Sequence, residues 1–288
     1  MLAAVLALIA AAVFALGSVL QAKAATRVPD QVSLNAGLLF ALLRQPLWLF
    51  GIGAGALGYA LQAAALAVGA VVLVQPILTV TLLFALPLQA RFNGRRIATR
   101  DLVAAVVLVI SLAAFVAAGE PEAGVNRAPF DQWATWCIPL LVVAAIGVAI
   151  GARTKHVPRA AALGVATGIC FGVVAPLTKS TLDALSDGLP AVLTSWELYA
   201  LALIGLASVF LQQASYQADA FAAAYPPAEV LQPIVGVVLG IVVLDETLRT
   251  DDIRVVVIGL AVLCAIVATV TLARDDPGSS APDSAATR

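Results

Sequence analysis

Val74-Gln75-Pro76-Ile77 recurs 157 positions further on as Leu231-Gln232-Pro233-Ile234. Each copy lies in an apolar run (69–88 and 224–244) of the length that crosses a bilayer. The segments that follow carry opposite charge: 91–101 (RFNGRRIATRD) is net +3 and 245–254 (DETLRTDDIR) is net −2. Basic loops stay on the cytoplasmic side of a membrane. Matched sequence with opposite flanking charge is therefore what two homologous halves require when they insert upside down relative to each other.

The neighbourhood repeats in the same order. A first apolar run ends in Leu20-Gln21-Ala22-Lys23 and a sixth in Pro176-Leu177-Thr178-Lys179. The second run ends with Leu61-Gln62-Ala63-Ala64 and the seventh with Leu211-Gln212-Gln213-Ala214. The fourth opens at Asp101 and the ninth at Asp252. The differences in offset fall in the connections.

Of the 288 residues, 62% are hydrophobic and 11% charged, and the net charge is −1. Soluble domains carry about 45–50% apolar and about 25% charged residues. This chain has more apolar surface than a water-facing fold can hide, and no global field that draws nucleic acid. Nine segments are long and apolar enough to span: 2–22, 46–66, 69–88, 102–119, 134–151, 160–178, 197–216, 224–244 and 253–273. The first lacks the basic start of a signal peptide and reads as a true span. The expected fold is an all-α polytopic membrane protein with nine transmembrane helices in an inverted 4+1+4 repeat. Residues 1–122 form the first four-helix repeat, and 123–159 a linker helix with a basic loop. Residues 160–273 form the inverted repeat and 274–288 a disordered cytoplasmic tail. Residues 31–44 read as an amphipathic surface helix or an early start to the second span.

With nine spans, the loops on one side hold ten Lys and Arg, with Asp30 and Asp101 as their acids, and those on the other side hold four. That asymmetry predicts a plasma-membrane protein with its N-terminus outside and its C-terminus cytoplasmic.

Pro76 and Pro233 each remove a helix hydrogen bond, and lipid cannot satisfy the freed carbonyl. Such breaks belong inside the bundle or beside a cavity. Gln75 and Gln232 bring amides to similar depths, and either support the kink or line the cavity. Gln62, Gln212 and Gln213 are cavity candidates of lower rank. Between Gln212 and Gln232 lie seven more residues than between Gln62 and Gln75, including Asp219, Tyr225, Pro226, Pro227 and Glu229. Glu229 reads either as a carboxylate held at a helix start set by the two prolines or as a cation-coupling group, and Asp219 as interfacial. Lys23 and Lys179 read as snorkelling span ends. Gly164, Gly168, Gly172, Gly51, Gly55, Gly147, Gly151, Gly236 and Gly240 read as helix-packing faces. Cys137, Cys170 and Cys264 read as buried thiols, and His156 has no second histidine with which to bind metal. Neither a metal nor a cofactor is expected, and no hydrolase or nucleotide-binding pattern points to an enzyme.

The span ending Leu-Gln-Ala-Ala-Ala, the proline-bearing span VVLVQPILTVTLLFALPL, the basic turn and the Asp-initiated span resemble the drug/metabolite transporter superfamily. The second copy, EVLQPIVGVVLGIVVLDETL, is similar to that superfamily's proline-to-glutamate stretch, with Glu246 at the acidic position. Nine spans with the N-terminus outside are similar to its NIPA-type magnesium transporters and EamA-like bacterial relatives. The resemblance implies a basket of helices whose cavity opens alternately to each side. It makes a small-solute transporter the leading expectation, with a magnesium or other divalent-cation path as an alternative: Glu229 and Asp219 would then serve the cation. A non-transporting scaffold or partner subunit is a third reading. The expected partners are the bilayer and the solute or cation, and a homodimer is compatible with the chain.

Overall fold

Long apolar runs separated by short polar breaks leave every backbone amide to be satisfied within its own segment, and the helix is the element that does so. The computed structural model describes residues 1–25, 43–93, 99–216, 221–249 and 251–274. Its helices are α1 (Leu2–Ala25), α2 (Pro46–Ala67), α3 (Val71–Leu78), α4 (Thr81–Asn93), α5 (Thr99–Gly119) and α6 (Phe130–Arg153). They continue with α7 (His156–Ser186), α8 (Leu189–Thr194), α9 (Trp196–Tyr216), α10 (Phe221–Leu244) and α11 (Asp252–Arg274). Among the described residues, eight helices are long and apolar enough to cross a membrane. Their outward faces carry bare side chains such as Leu203, Leu206 and Ile253. Such a belt suits lipid, and the chain is an all-α, multi-pass membrane protein. Asp219, most of the 31–44 segment, the 94–98 part of the basic loop and the tail from 275 onward lie outside the described residues.

The expected third span is two helices. α3 contains Pro76 and ends two residues later, and α4 begins at Thr81. The Thr79 hydroxyl donates to Pro76 O at 2.7 Å. The amides of Thr79 and Val80 bond three residues back, to Pro76 O and Ile77 O. Proline loosens the helix and these tighter turns close it off. Pro233, by contrast, sits within the continuous α10.

α7 is the axis of the bundle: 78% of its apolar stretch is buried, against 17–39% for the other seven long helices. Small residues let its neighbours approach. A Cβ on Gly168 or Gly172 would lie 2.8 Å from Ala228 O or Gln232 O of α10, and one on Gly147 of α6 would lie 2.8 Å from Ala162 O of α7. Those expected packing faces are present. α1 and α2 run antiparallel, with Gly17 on Gly51, Phe14 on Gly58 and Ala3 on Gly69. α5 and α11 are also antiparallel, with Ala104, Ala105 and Leu108 beside Ala268 at one end and Arg254 reaching Ala118 O at the other. α10 runs parallel to α7, and α4 parallel to α1 through Ala85 beside Ala15 and Val19.

The thiols divide. Cys137 and Cys170 are buried, whereas Cys264 is exposed on the outer face of α11, so the expectation of three buried cysteines holds for two.

Candidate functional site

Glu246 follows the end of α10 and was expected in a polar loop, yet it is 1% exposed. Asp245, at φ 50°, turns the chain back, and the Glu246 amide donates to Gly240 O at 3.0 Å. Asp adopts this left-handed conformation more readily than most residues. The turn lays the Glu246 carboxylate over Gly240, where a Cβ would sit 2.8 Å from Oε2.

That carboxylate has three partners. The amides of Val71 and Val72, the first two residues of α3, donate to its Oε1 and Oε2, each at 2.8 Å. The Lys179 ammonium donates to Oε1 at 2.6 Å. Lys179 is 3% exposed, so it does not snorkel to the membrane surface as expected. It lies seven residues before the end of α7, about 10 Å along the axis, where only a counter-charge makes burial tolerable. A lysine and the positive end of a half-helix thus converge on one carboxylate. Lys23, its expected counterpart, is half-buried.

One turn further along α3 comes Gln75. Its side chain is 1% exposed, and neither Oε1 nor Nε2 has a hydrogen-bond partner. It lies against Gly236 of α10, where a Cβ would fall 2.8 Å from its Cγ. Gly236 and Gly240 therefore form the expected packing face of α10 against α3, and make room there for Gln75 and for the Glu246 carboxylate. Gly236 stands 157 positions after Thr79, so the second repeat has a glycine where the first has the hydroxyl that closes α3. Beside this seam the hydroxyls of Tyr59 (α2) and Thr178 (α7) meet at 2.6 Å. Thr178 gives its own hydrogen to Val174 O at 2.7 Å, which makes Tyr59 the donor.

The opposite end of the bundle has a neutral counterpart. Gln213 Nε2 of α9 donates to Gln21 Oε1 of α1 at 2.9 Å, and Gln21 Nε2 donates to Gly51 O of α2 at 3.2 Å. Gln213 Oε1 is buried and has no partner.

Gln75 of the first Gln-Pro copy thus packs on α10 three residues after the proline of the second, with Gln75 fully buried and Gln232 and Pro233 half-buried. Gln62 is buried near the Glu246 end of α2, and Gln212 is half-buried near the opposite end of α9. The adjacent Gln213, rather than Gln212, makes the contact between helices. Glu229 is half-buried and is the ninth residue of α10, not at a start set by Pro226 and Pro227. Stabilisation by the helix end fades within the first turn, so that explanation does not apply.

Sequence reasoning missed the role of Glu246, Lys179 and Glu197. Arg127 holds Glu197, 0% exposed in the first turn of α9, through two bonds of 2.6 and 3.1 Å, and hydrogen bonding to Glu197 raises the Arg127 pKa above its ordinary value. Each of these acids sits beside a polar break, where a linear reading places it in water. Among the described residues, no three His, Cys, Asp or Glu are grouped so as to hold a metal ion.

No family model matches the chain, and no solved structure matches it. It is similar to an uncharacterized protein of Corynebacterium glutamicum, 34% identical over 282 residues that cover 95% of both chains. At that identity over nearly the full length of both, the chain belongs to the same family as the uncharacterized Corynebacterium glutamicum protein.

Proposed function

We propose that this protein is a secondary transporter of a small solute, of the drug/metabolite transporter kind, working by alternating access between two inverted four-helix units. The units are α1–α5, in which α3 and α4 share one span, and α7–α11, in which the six-residue α8 is too short to span, and α6 is the linker. Gln75 carries the proposal: a buried amide with no partner, on a broken helix, packed against Gly236 of α10 just past the second copy of the repeated phrase. An unsatisfied amide costs about 1–3 kcal/mol, and a fold keeps such a group where another state or a solute uses it.

The helix directions support the inverted repeat. α1 runs from the Glu246 end to the Gln21 end, whereas its sequence counterpart α7 runs the other way. The same opposition holds for α2 and α9, for α3–α4 and α10, and for α5 and α11. The parallel packing of α4 on α1 is matched by that of α10 on α7. A helix break inside a transporter bundle is where a solute site can form, and here α3–α4 is broken while its counterpart α10 stays whole. The excess of Lys and Arg in the loops at the Gln21 end supports a cytoplasmic Gln21 end and an outward-facing Glu246 end.

The full-length protein in liposomes, offered radiolabelled metabolites outside and a magnesium-sensitive dye within, tests this reading. Solute uptake that Gln75→Ala abolishes is the expected result. A dye response without solute uptake would make the protein a divalent-cation path instead. If nothing crosses, the transporter reading fails and a scaffold role remains.

A further inference from the structure

We infer that Glu246 is the latch of a gate whose moving part is the half-helix α3, and that Gln21–Gln213 is a weaker latch at the opposite end, so the resting protein opens first at the Gln21 end. This rests on the transporter reading and adds to it which contacts open and in what order.

Lys179 and Glu246 both belong to the second half, and α7 and α10, which carry or precede them, pack closely through Gly168 and Gly172. Their ion pair therefore travels as one body. Several bonds cross from that body to the first half at this end, those of Tyr59 with Thr178 and of Glu120 and Glu122 with the segment after α10 among them, and the ones that hold the half-helix α3 are the pair from the Val71 and Val72 amides. α3 is eight residues long and ends at the Thr79–Val80 break, so it can tilt there without moving α4. Tilting would release its N-terminus from Glu246 and lift Gln75 off Gly236. The side chain that is orphaned in the closed state becomes the first amide to reach the opened space.

At the other end, the crossing contact between α1 and α9 is one neutral amide bond, Gln213 to Gln21. Hydrogen bonds to an ionised group are roughly twice as strong as neutral ones, and here two stand against one. Both latches are engaged in this structure, which makes it an occluded form.

The test is thiol labelling of the full chain in oriented vesicles, with Cys137, Cys170 and Cys264 replaced by serine. Gln75→Cys reports the Glu246 end. Ser215→Cys, a conservative change at a buried position beside Gln213, reports the other. Each rate with an impermeant reagent is taken relative to that thiol in denatured protein. Expected is Ser215→Cys reacting at least about ten-fold faster than Gln75→Cys, since one charge-assisted bond of difference implies that ratio. Glu246→Gln should raise the Gln75→Cys rate by a similar factor. Should that variant misfold with Lys179 left unpaired, Glu246→Gln with Lys179→Gln removes both charges and should show the same rise. Equal protection of the two reporters, or a Gln75→Cys rate indifferent to the folded Glu246 variant, would overturn the proposal. Labelling needs no solute. The predicted pattern without any uptake would leave the two latches standing and sink the transporter reading; uptake without the pattern would do the reverse.

Discussion

Lys179 and Glu246 lie 67 positions apart in the chain and 2.6 Å apart in space, with side chains 3% and 0% exposed. Removing one member of such a pair leaves a buried charge, which typically costs about 3–5 kcal/mol, whereas removing both costs far less. Lys179→Met should therefore lower the melting temperature of the detergent-solubilised protein sharply, and Lys179→Met with Glu246→Gln should recover much of the loss. A double change as damaging as the sum of the single ones would show that the two groups do not act as a unit.

Gly240 sets how closely that carboxylate approaches α10. A Cβ there would meet Glu246 Oε2 at 2.8 Å, Val72 Cγ2 at 3.2 Å and Val71 Cβ at 3.3 Å. Gly240→Ala should destabilise by about 1–3 kcal/mol, as overpacking does. Gly205→Ala and Gly259→Ala supply the control, because a Cβ at either finds nothing within 4 Å. Gain of a better helix former there should leave stability unchanged or raise it by up to about 1 kcal/mol. Thermal melts of the three variants separate the contact from the general effect of glycine in a helix.

The loop after α5 is tied to the one after α10 by Arg254 and Arg249, which both bind Glu120, and by the Glu122–Thr247 bridge. The hydrogen bond from Arg254 is the main cause that holds the Glu120 carboxyl below its ordinary value. With the folded value depressed, the contribution is complete above the unfolded value and is lost as pH falls through the folded one. The acid limb of the melting curve should accordingly be less steep in Glu120→Gln than in the parent. Because Glu120 is open to solvent, added salt should narrow the difference. An acid limb identical in the two proteins would remove Glu120 from the account.

How far these features were legible depended on whether their cause was local. The Gln-Pro repeat and the glycine stripes of α6 and α7 follow from composition and spacing, and both were readable. The split of the third span was half-readable: Pro76 announces a weak point, but Pro233 does the same in a helix that stays whole. What differs is Thr79 against Gly236, a hydroxyl that caps the Pro76 carbonyl at the end of α3 against a glycine that makes room for Gln75. Lys179 and Glu246 were misplaced because each sits near the end of an apolar run, where charge ordinarily means water. Only the third dimension brings a lysine of α7, a turn after α10 and the start of α3 to one point. Gln213 was separated from Gln212 by helical phase, which a run without amphipathic contrast conceals.

Gln75 tests whether the seam serves stability or function. Its amide is buried with both polar atoms unpartnered, so in this state it destabilises the fold. Gln75→Met keeps the length of the side chain and removes the two unsatisfied atoms. If the amide exists for the solute, this variant should melt higher than the parent, by the equivalent of about 1–2 kcal/mol, and yet fail to transport. If Gln75 instead supports the Pro76 break through a bond that forms in the membrane, the same change should lower stability along with transport. Thermal melts and uptake measured on one preparation decide between these, and a variant that is both more stable and fully active would leave Gln75 with no role in the site.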